Sequence, residues 1–494
     1  MSGMLEDLRQ ARWLHLARVL VECESPLSIG TGASDGVFDV ALVRDANGLP
    51  AIPGSSLAGV LRHACAARDP GMAEEVFGFQ RPRAEAGEGP AGRASRLHVS
   101  WGCIVGGDGR AVEGLLLGEA ARRIDDDALL RFARATAEDP VYRDRVRLGH
   151  RGAADGHGKF DRSVLPAGYR FAFELSLWSA RGDDPAWERL LALLCDPLLR
   201  LGGGTRAGLG ALRVVRLHEG RFDLASPSGR ERFLALGRGI DDLGGLDERR
   251  PAPPRTGDGV RRLRLRLRPR AGWRIGEGEE SLVQALEGRP GGKPPDNRLL
   301  VERRVEWDAA GRGRFGEPRL LLPASGLKGA LAHRVAFHDH RLRGEWAEDM
   351  PEERFAAYDK GRDSAAVREL FGYAHGDAAD AAGRAGRVLV DDAWCPVSRE
   401  ALVRMMHNAI DRFTGGVRRH VLFEEELAWG GTLELGIAVL GWGRLDPLTR
   451  RAFDLALADL LEGRLAIGGG TGKGHGLLDG EILEDSVRGE EAAA

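Results

Sequence analysis

The sequence predicts an α+β protein made of two tandem copies of one domain. Three paired motifs carry that reading. Residues 52–62, Ile-Pro-Gly-Ser-Ser-Leu-Ala-Gly-Val-Leu-Arg, recur at 322–334 as Leu-Pro-Ala-Ser-Gly-Leu-Lys-Gly-Ala-Leu-Ala-His-Arg, with Ser55 and Ser325 270 positions apart. Leu201-Gly-Gly-Gly-Thr-Arg-Ala-Gly-Leu-Gly210 is answered 266 positions later by Ile467-Gly-Gly-Gly-Thr-Gly-Lys-Gly-His-Gly476. Between them, Val76-Phe-Gly-Phe79 is answered by Leu370-Phe-Gly-Tyr373. Three motifs in one order at nearly one offset indicate duplication. The 494 residues then divide into a first domain at 1–243, a connection at 244–259 rich in Gly, Pro and charge, and a second domain at 260–494.

The elements follow in parallel. Leu14–Glu24, rich in Leu, Val and Ala, reads as the first strand. Its partner, Arg262-Leu-Arg-Leu-Arg-Leu-Arg268, alternates strictly, which puts Leu263, Leu265 and Leu267 on a core face and the arginines on a solvated one. After each strand comes a Gly-rich irregular stretch, then the Pro-Ser motif. Leu57, Val60, Leu61, Ala64 and Cys65 share one helix face, with Ser55-Ser56 read as the N-cap. Each half closes with an apolar helix (187–201 and 451–465), the triple-glycine loop and a strand (211–217 and 477–483). Residues 80–95 and 288–298 read as loops, and the tail after Asp485 as frayed.

Composition sets bounds. With 71 basic and 74 acidic residues the net charge is −3, so any nucleic-acid surface is local. Only five of the basic residues are lysine, yet Lys328 and Lys473 both fall inside the repeated motifs. The five cysteines form no C-x-x-C pair, which removes support for zinc or redox motifs, and scattered thiols with no signal-peptide pattern point to a reducing cytoplasm. No apolar run approaches the ~18 residues of a membrane span.

Several motifs bear on chemistry. Gly-Gly-Gly-Thr-Gly-Lys-Gly fails as a P-loop, because Ile467 stands where its first glycine belongs and Gly474 where Ser or Thr must follow the lysine. The loop is expected instead to offer backbone N–H groups to a polynucleotide. The Pro-Ser helix starts, with free N–H groups, the helix dipole and basic residues one to three turns on, suit phosphates. His63 and His333 occupy equivalent helical sites and read as local structure. His338, Asp339 and His340 lack a third ligand for a metal site.

The Pro-Gly-Ser-Ser-Leu-x-Gly and Gly-Gly-Gly-Thr-x-x-Gly-x-Gly motifs resemble the RAMP superfamily of CRISPR-associated proteins. Within it, the chain is similar to the backbone subunits of type III effector complexes, which polymerise along the guide RNA. Asn408-Ala-Ile-Asp-Arg-Phe-Thr-Gly-Gly-Val417, followed by Leu422-Phe-Glu-Glu-Glu-Leu, resembles a stretch near the thumb hairpin of those subunits. The first half departs there, with Arg145-Val-Arg-Leu-Gly-His-Arg-Gly152. The resemblance implies two modified ferredoxin-like, RRM-like domains. It implies as partners a CRISPR guide RNA, a complementary target RNA and other CRISPR effector subunits. Ser55, Ser56, Arg62, Arg147, Arg151, Arg206, Ser325, Lys328, Arg334, Arg412, Arg418, Arg419, Lys473 and His475 are the candidates for RNA contact, with His150 beside them.

In similar proteins one aspartate in the loop before the Pro-Gly-Ser-Ser motif cleaves target RNA. Asp39 falls at that place, with Asp35 as near rival and Asp45 as a turn residue. Asp39 would hold Mg²⁺ or a similar divalent ion, or assist the 2′-hydroxyl in in-line attack. The second domain has a longer loop in which Asp296 is the best counterpart and Asp308 lies in a turn. Two other functions compete: a non-catalytic RNA-binding scaffold, and a guide-processing endoribonuclease, against which the Pro-Gly-Ser-Ser motif and the want of a clear catalytic His both count.

Overall fold

The computed structural model describes residues 11–32, 41–81, 92–150, 152–254, 259–276, 278, 281–287, 293–374 and 383–487. Asp35, Asp39 and Arg151 lie outside the described residues, as do 82–91 and 288–292 of the two expected loops and 488–494 of the tail.

The first domain is built on β1 (Trp13–Cys23), whose apolar run is buried along most of its length. A strand enclosed on both faces reads as continuous rather than alternating, and β1 is the centre of its sheet. It pairs antiparallel with β5 (Arg170–Ser179) on one side and β6 (Leu212–Asp223) on the other, and β2 (Leu97–Val99) lies outside β5. Helix α1 (Gly54–Ala66) follows β1, and α2 (Pro185–Leu194) joins β5 to β6. The resulting order β6-β1-β5-β2, in a β-α-β-β-α-β chain, is the ferredoxin-like arrangement. Cys103–Ile104 also pairs with β5, and Asp247–Glu248, inside the stretch read as a connection, pairs with β6.

The second domain repeats the plan. Its strands β7 (Val260–Pro269), β8 (Val388–Val390), β11 (Leu433–Leu440) and β12 (Leu478–Asp485) form a sheet in the order β12-β7-β11-β8. Helix α3 (Ala324–Arg343) follows β7 and α4 (Pro447–Leu461) precedes β12. Even the irregularity is shared: the pairing of β1 with β6 slips at Leu20/Val21, and that of β7 with β12 slips at Arg264/Leu265. Between the second and third sheet strands each domain inserts a hairpin, β3 (Arg145–Leu148) with β4 (Ala154–Phe160), and β9 (Leu402–His407) with β10 (Phe423–Trp429). The expected thumb sequence Asn408–Val417 forms the tip of the second hairpin.

Leu263, Leu265 and Leu267 are buried, as their alternation predicts. The arginines between them are neutralised: Arg264 pairs with Glu434 (3.0 Å) and Glu484 (3.1 Å), and Arg266 with Glu434 (2.8 Å) and Glu481 (3.0 Å). The solvated reading of this face holds. The closing helices begin earlier than periodicity suggests. Asp184 and Asp446 cap them through the Ala186 and Thr449 amides, with proline next in each chain.

One expectation fails at the other helices. Neither serine is the N-cap; Pro53 and Pro323 hold that position without a side-chain bond, and Ser55 and Ser325 sit in the first turn. Gly54 and Ala324 open the helices because space forbids more. A Cβ at Gly54 would fall 2.2 Å from the Val99 carbonyl oxygen of β2.

The domains interlock. A hairpin from the long loop of the second domain, Val305–Trp307 with Gly313–Phe315, joins the core of the first. The Val305 amide donates to Ala167 (2.9 Å), the Gly313 amide to Gly107 (2.9 Å) and the Trp307 indole to Gly168 (2.7 Å). Asp308 is the turn residue of this hairpin, as expected, accepting from the Ala310 and Arg312 amides (both 2.9 Å).

Candidate nucleic-acid interface

The two triple-glycine loops have one geometry. The Gly203 amide donates to the Ser28 carbonyl (2.7 Å) and the Gly469 amide to the Arg274 carbonyl (2.8 Å). Leu201 and Ile467 close the loops by donating to Gly210 (2.8 Å) and Gly476 (2.9 Å). These amides serve the fold. A guanidinium lies against the second glycine of each loop, Arg162 on Gly203 and Arg274 on Gly469.

The first loop also docks on the second domain. Gly208 (φ +90°) faces the start of α3, where a Cβ would fall 2.7 Å from the Ala324 Cβ and 2.3 Å from Asp392 Oδ1. Asp392 accepts the Ala324 amide (2.7 Å), so a carboxylate of the protein already occupies the helix start that suited a phosphate. Arg143 of the first domain reaches across to Asp392 (3.2 Å) and Glu302 (2.9 Å), all three being buried. Burial pushes the Asp392 carboxyl up to about 6, against the opposing pull of Arg143 and the Ala324 amide.

The same contact engages two predicted RNA ligands. Lys328 donates from Nζ to the Arg206 carbonyl (2.9 Å) in the first domain and the Val388 carbonyl (2.8 Å) in the second. Burial, with Arg206 and Arg145 nearby, brings its amine down to about 7. Arg206 itself donates to the Gly386 carbonyl. Both residues hold the domains together. Arg334 is also committed: with His338 (2.7 Å) and Arg464 (2.7 Å) it closes on Asp459 of α4. Burial opposes ionisation of that carboxyl, but its three partners prevail and hold it at about 2. Arg147 pairs with Asp359, and His150 packs edge-on against Phe355 and Tyr358 (both 5.5 Å).

The remaining predicted residues differ in exposure. Ser55 and Arg62 are exposed on α1, Ser56 and Ser325 half-buried. Arg412, Arg418 and Arg419 are exposed at the tip of the second hairpin beside Phe413, which is 99% exposed. Lys473 is exposed on the second glycine loop, and His475 is buried behind it.

Lys473 belongs to a cluster that sequence reasoning missed. Glu425 of β10 is fully buried. His407 Nε2 touches its Oε1, Lys473 Nζ lies 3.5 Å from the same oxygen, and Arg274 Nε lies 3.4 Å from Oε2. His407 stacks on Phe423 (5.1 Å), and Lys473 stands 4.8 Å over the same ring. Asp296 flanks the cluster. It is exposed, its Oδ2 accepts the Glu424 amide (2.9 Å), and that bond, with Lys293, keeps its carboxyl below the usual range. Asn297 next to it accepts from Arg274 (3.2 Å). The sequence signal was the run Glu424-Glu425-Glu426; only strand register tells which glutamate turns inward to the loop.

Among the described residues no group of three or more His, Cys, Asp or Glu side chains is placed to hold a metal ion, and no helix is long and apolar enough to cross a membrane. The search of curated proteins found no match. The family model of the RAMP superfamily matches residues 20–213 and 311–479, one span in each domain. With more than half of its length matched and the ferredoxin-like plan repeated in both halves, the chain belongs to the RAMP superfamily, whose CRISPR-associated members bind RNA.

Proposed function

We propose that the chain is a backbone subunit of a type III CRISPR effector, holding a guide RNA and its complementary target along both domains. Target cleavage in the first domain is assigned to Asp39, with Mg²⁺ or a similar ion assisting. Base pairing reads the target, while the protein holds phosphates and duplex shape.

One observation carries this reading. Gly208 of the first glycine loop is packed on the helix start of the second domain, whereas its counterpart Gly474 (φ +87°) has no atom within 4 Å of where a Cβ would lie. At the other end, Ser55, Gly59 and Arg62 of α1 are exposed on the helix equivalent to α3. The chain therefore makes one head-to-tail contact internally and leaves one head and one tail uncovered among the described residues. A unit with two such ends suits an open stack of further RAMP subunits.

The experiment uses the assembled complex with its co-purified RNA, sized and sequenced, and an end-labelled complementary target. Guide-length RNA should co-purify, and affinity should fall steeply with salt while responding little to sequence. Asp39→Ala should remove one cut and leave target binding intact. An unchanged cleavage ladder moves the role to Asp35 or leaves the domain a scaffold; recovery of a complex without RNA would refute the reading.

A further inference from the structure

We propose that residues 345–363 of the second domain form an acidic clasp that holds the first hairpin, β3 with β4, and competes with RNA for it. The inference rests on the reading that the chain holds RNA, and it adds a contact that governs when the first domain takes it.

The clasp lies where the duplication breaks. The Pro-Ser motifs stand 270 positions apart, but Val76 and Leu370 of the next motif pair stand 294 apart, so the second domain carries 24 more residues between them. The structure puts the excess in one place. Three residues separate α1 from the helix Pro70–Phe77, which Asp69 caps through the Met72 amide. Its counterpart Ala365–Phe371, capped by Ser364 through the Val367 amide, begins only after 21 intervening residues, and α3 has 20 residues against the 13 of α1. The first domain builds the same fold without this segment.

Its charge is opposite to that of the hairpin. Residues 345–363 hold seven acidic residues against three basic, whereas 145–151 has Arg145, Arg147, His150 and Arg151 and no acid. Arg147 pairs with Asp359. Asp359 is set for that contact: its Oδ1 accepts the Gly361 amide (2.7 Å), and its own amide donates to Asp363 (2.8 Å). Beyond it, His150 meets the rings of Phe355 and Tyr358. Tyr358 is tied back to α3 through His340, whose Nε2 lies 3.0 Å from the Tyr358 hydroxyl and whose Nδ1 lies 2.6 Å from Glu345. The clasp is thus anchored at its base and touches the hairpin through one ion pair and one ring contact.

That contact is built to yield. The Arg147 side chain is 52% exposed and that of Asp359 29%, so water screens the pair and the hold is weak. A cavity of about 390 Å³ remains beside it, lined in part by His150, Phe337, Trp346, Phe355 and Tyr358, where a permanent interface would be packed solid. A polynucleotide offers Arg147 a phosphate and releases counterions as it binds. The segment therefore stands in for RNA and binds more weakly than what it imitates. The second hairpin has no such cover among the described residues: Arg412, Phe413, Arg418 and Arg419 are exposed at its tip. RNA meets the second hairpin unopposed and must displace the clasp to reach the first.

The test uses the full-length chain and a labelled single-stranded RNA of mixed sequence. Asp359→Asn should tighten binding about fivefold at low salt, the scale of one half-exposed ion pair. The slope of log affinity against log salt should steepen by about 0.7, one more phosphate on a single strand. Both gains should vanish when Arg147→Ala is added, because the freed arginine makes them. Phe355→Ala, at an exposed residue and with no change of charge, should tighten binding about threefold by releasing His150. Hydrogen exchange on peptides covering 142–160 should be faster in both single variants without RNA, and RNA should speed exchange across 345–363 of the wild type. Asp359→Asn affinity within twofold of wild type, a gain that survives Arg147→Ala, or Phe355→Ala without effect overturns the clasp while leaving the backbone role standing. A chain that binds no RNA, alone or in the assembled complex, overturns both.

Discussion

Arg143→Met should loosen the junction between the domains by about 3 kcal/mol. The side chain is enclosed, and its two partners have side chains only 6% (Glu302) and 1% (Asp392) exposed, so solvent screens neither contact. Removing one member of such a buried set costs about 3–5 kcal/mol, because the remaining charge is stranded. The lower end applies here. Glu302 keeps the Trp394 indole (2.9 Å) and Asp392 keeps the Ala324 amide (2.7 Å). At ~1.4 kcal/mol per tenfold, 3 kcal/mol is roughly a 150-fold faster opening. Hydrogen exchange read by mass spectrometry on peptides covering 201–210 and 320–331 reports it directly. The loss also has a pH signature. Asp392 already sits at about 6, above its ordinary 3.8, and without the guanidinium it rises further. The folded variant then holds this proton to higher pH than wild type does, so the deficit is largest in mild alkali and shrinks as pH falls toward about 6, below which both carry the proton. Exchange within threefold of wild type, or a deficit flat in pH, would refute this account of the junction.

Lys328 gives a trend of opposite sign. Its folded value of about 7 lies below the ordinary 10.5, so the unfolded chain binds more protons between those limits and the contribution to stability rises with pH across that window. Subtracting the pH profile of Lys328→Met from that of wild type, by chemical denaturation, should isolate the rise. Gly54→Ala should destabilise the first domain by about 2–3 kcal/mol, since its Cβ would meet the carbonyls of Val99 and Ser100 in and beside β2. Ser55→Ala, one residue on but exposed, should change stability by less than about 0.5 kcal/mol in the same denaturation assay.

Much of the fold was legible because it is written in local pattern and repetition. Strict alternation in 262–268 placed Leu263, Leu265 and Leu267 in the core without knowledge of any neighbour. The paired motifs placed Ser55 with Ser325 and Gly203 with Gly469, and the structure puts each pair at the same step of the same element. Helix ends were less legible. The cap assignment at Ser55 followed a sound preference, but the approach of β2 to Gly54 leaves the chain entering through Pro53 instead.

The site was harder, for a physical reason. A lysine inside a repeated motif does not by itself show what its charge faces. Lys328 and Lys473 looked alike in the sequence. One is spent on carbonyls 122 and 60 residues away, where the docked first domain excludes water, and the other stays on an uncovered loop against Glu425. The sequence by itself determined the duplication, the two faces of the 262–268 strand and the residue types available for charge. Only the tertiary structure decided which charges neutralise one another, because those pairings span separations such as Arg143 to Asp392, 249 positions, and depend on how two finished domains exclude solvent between them.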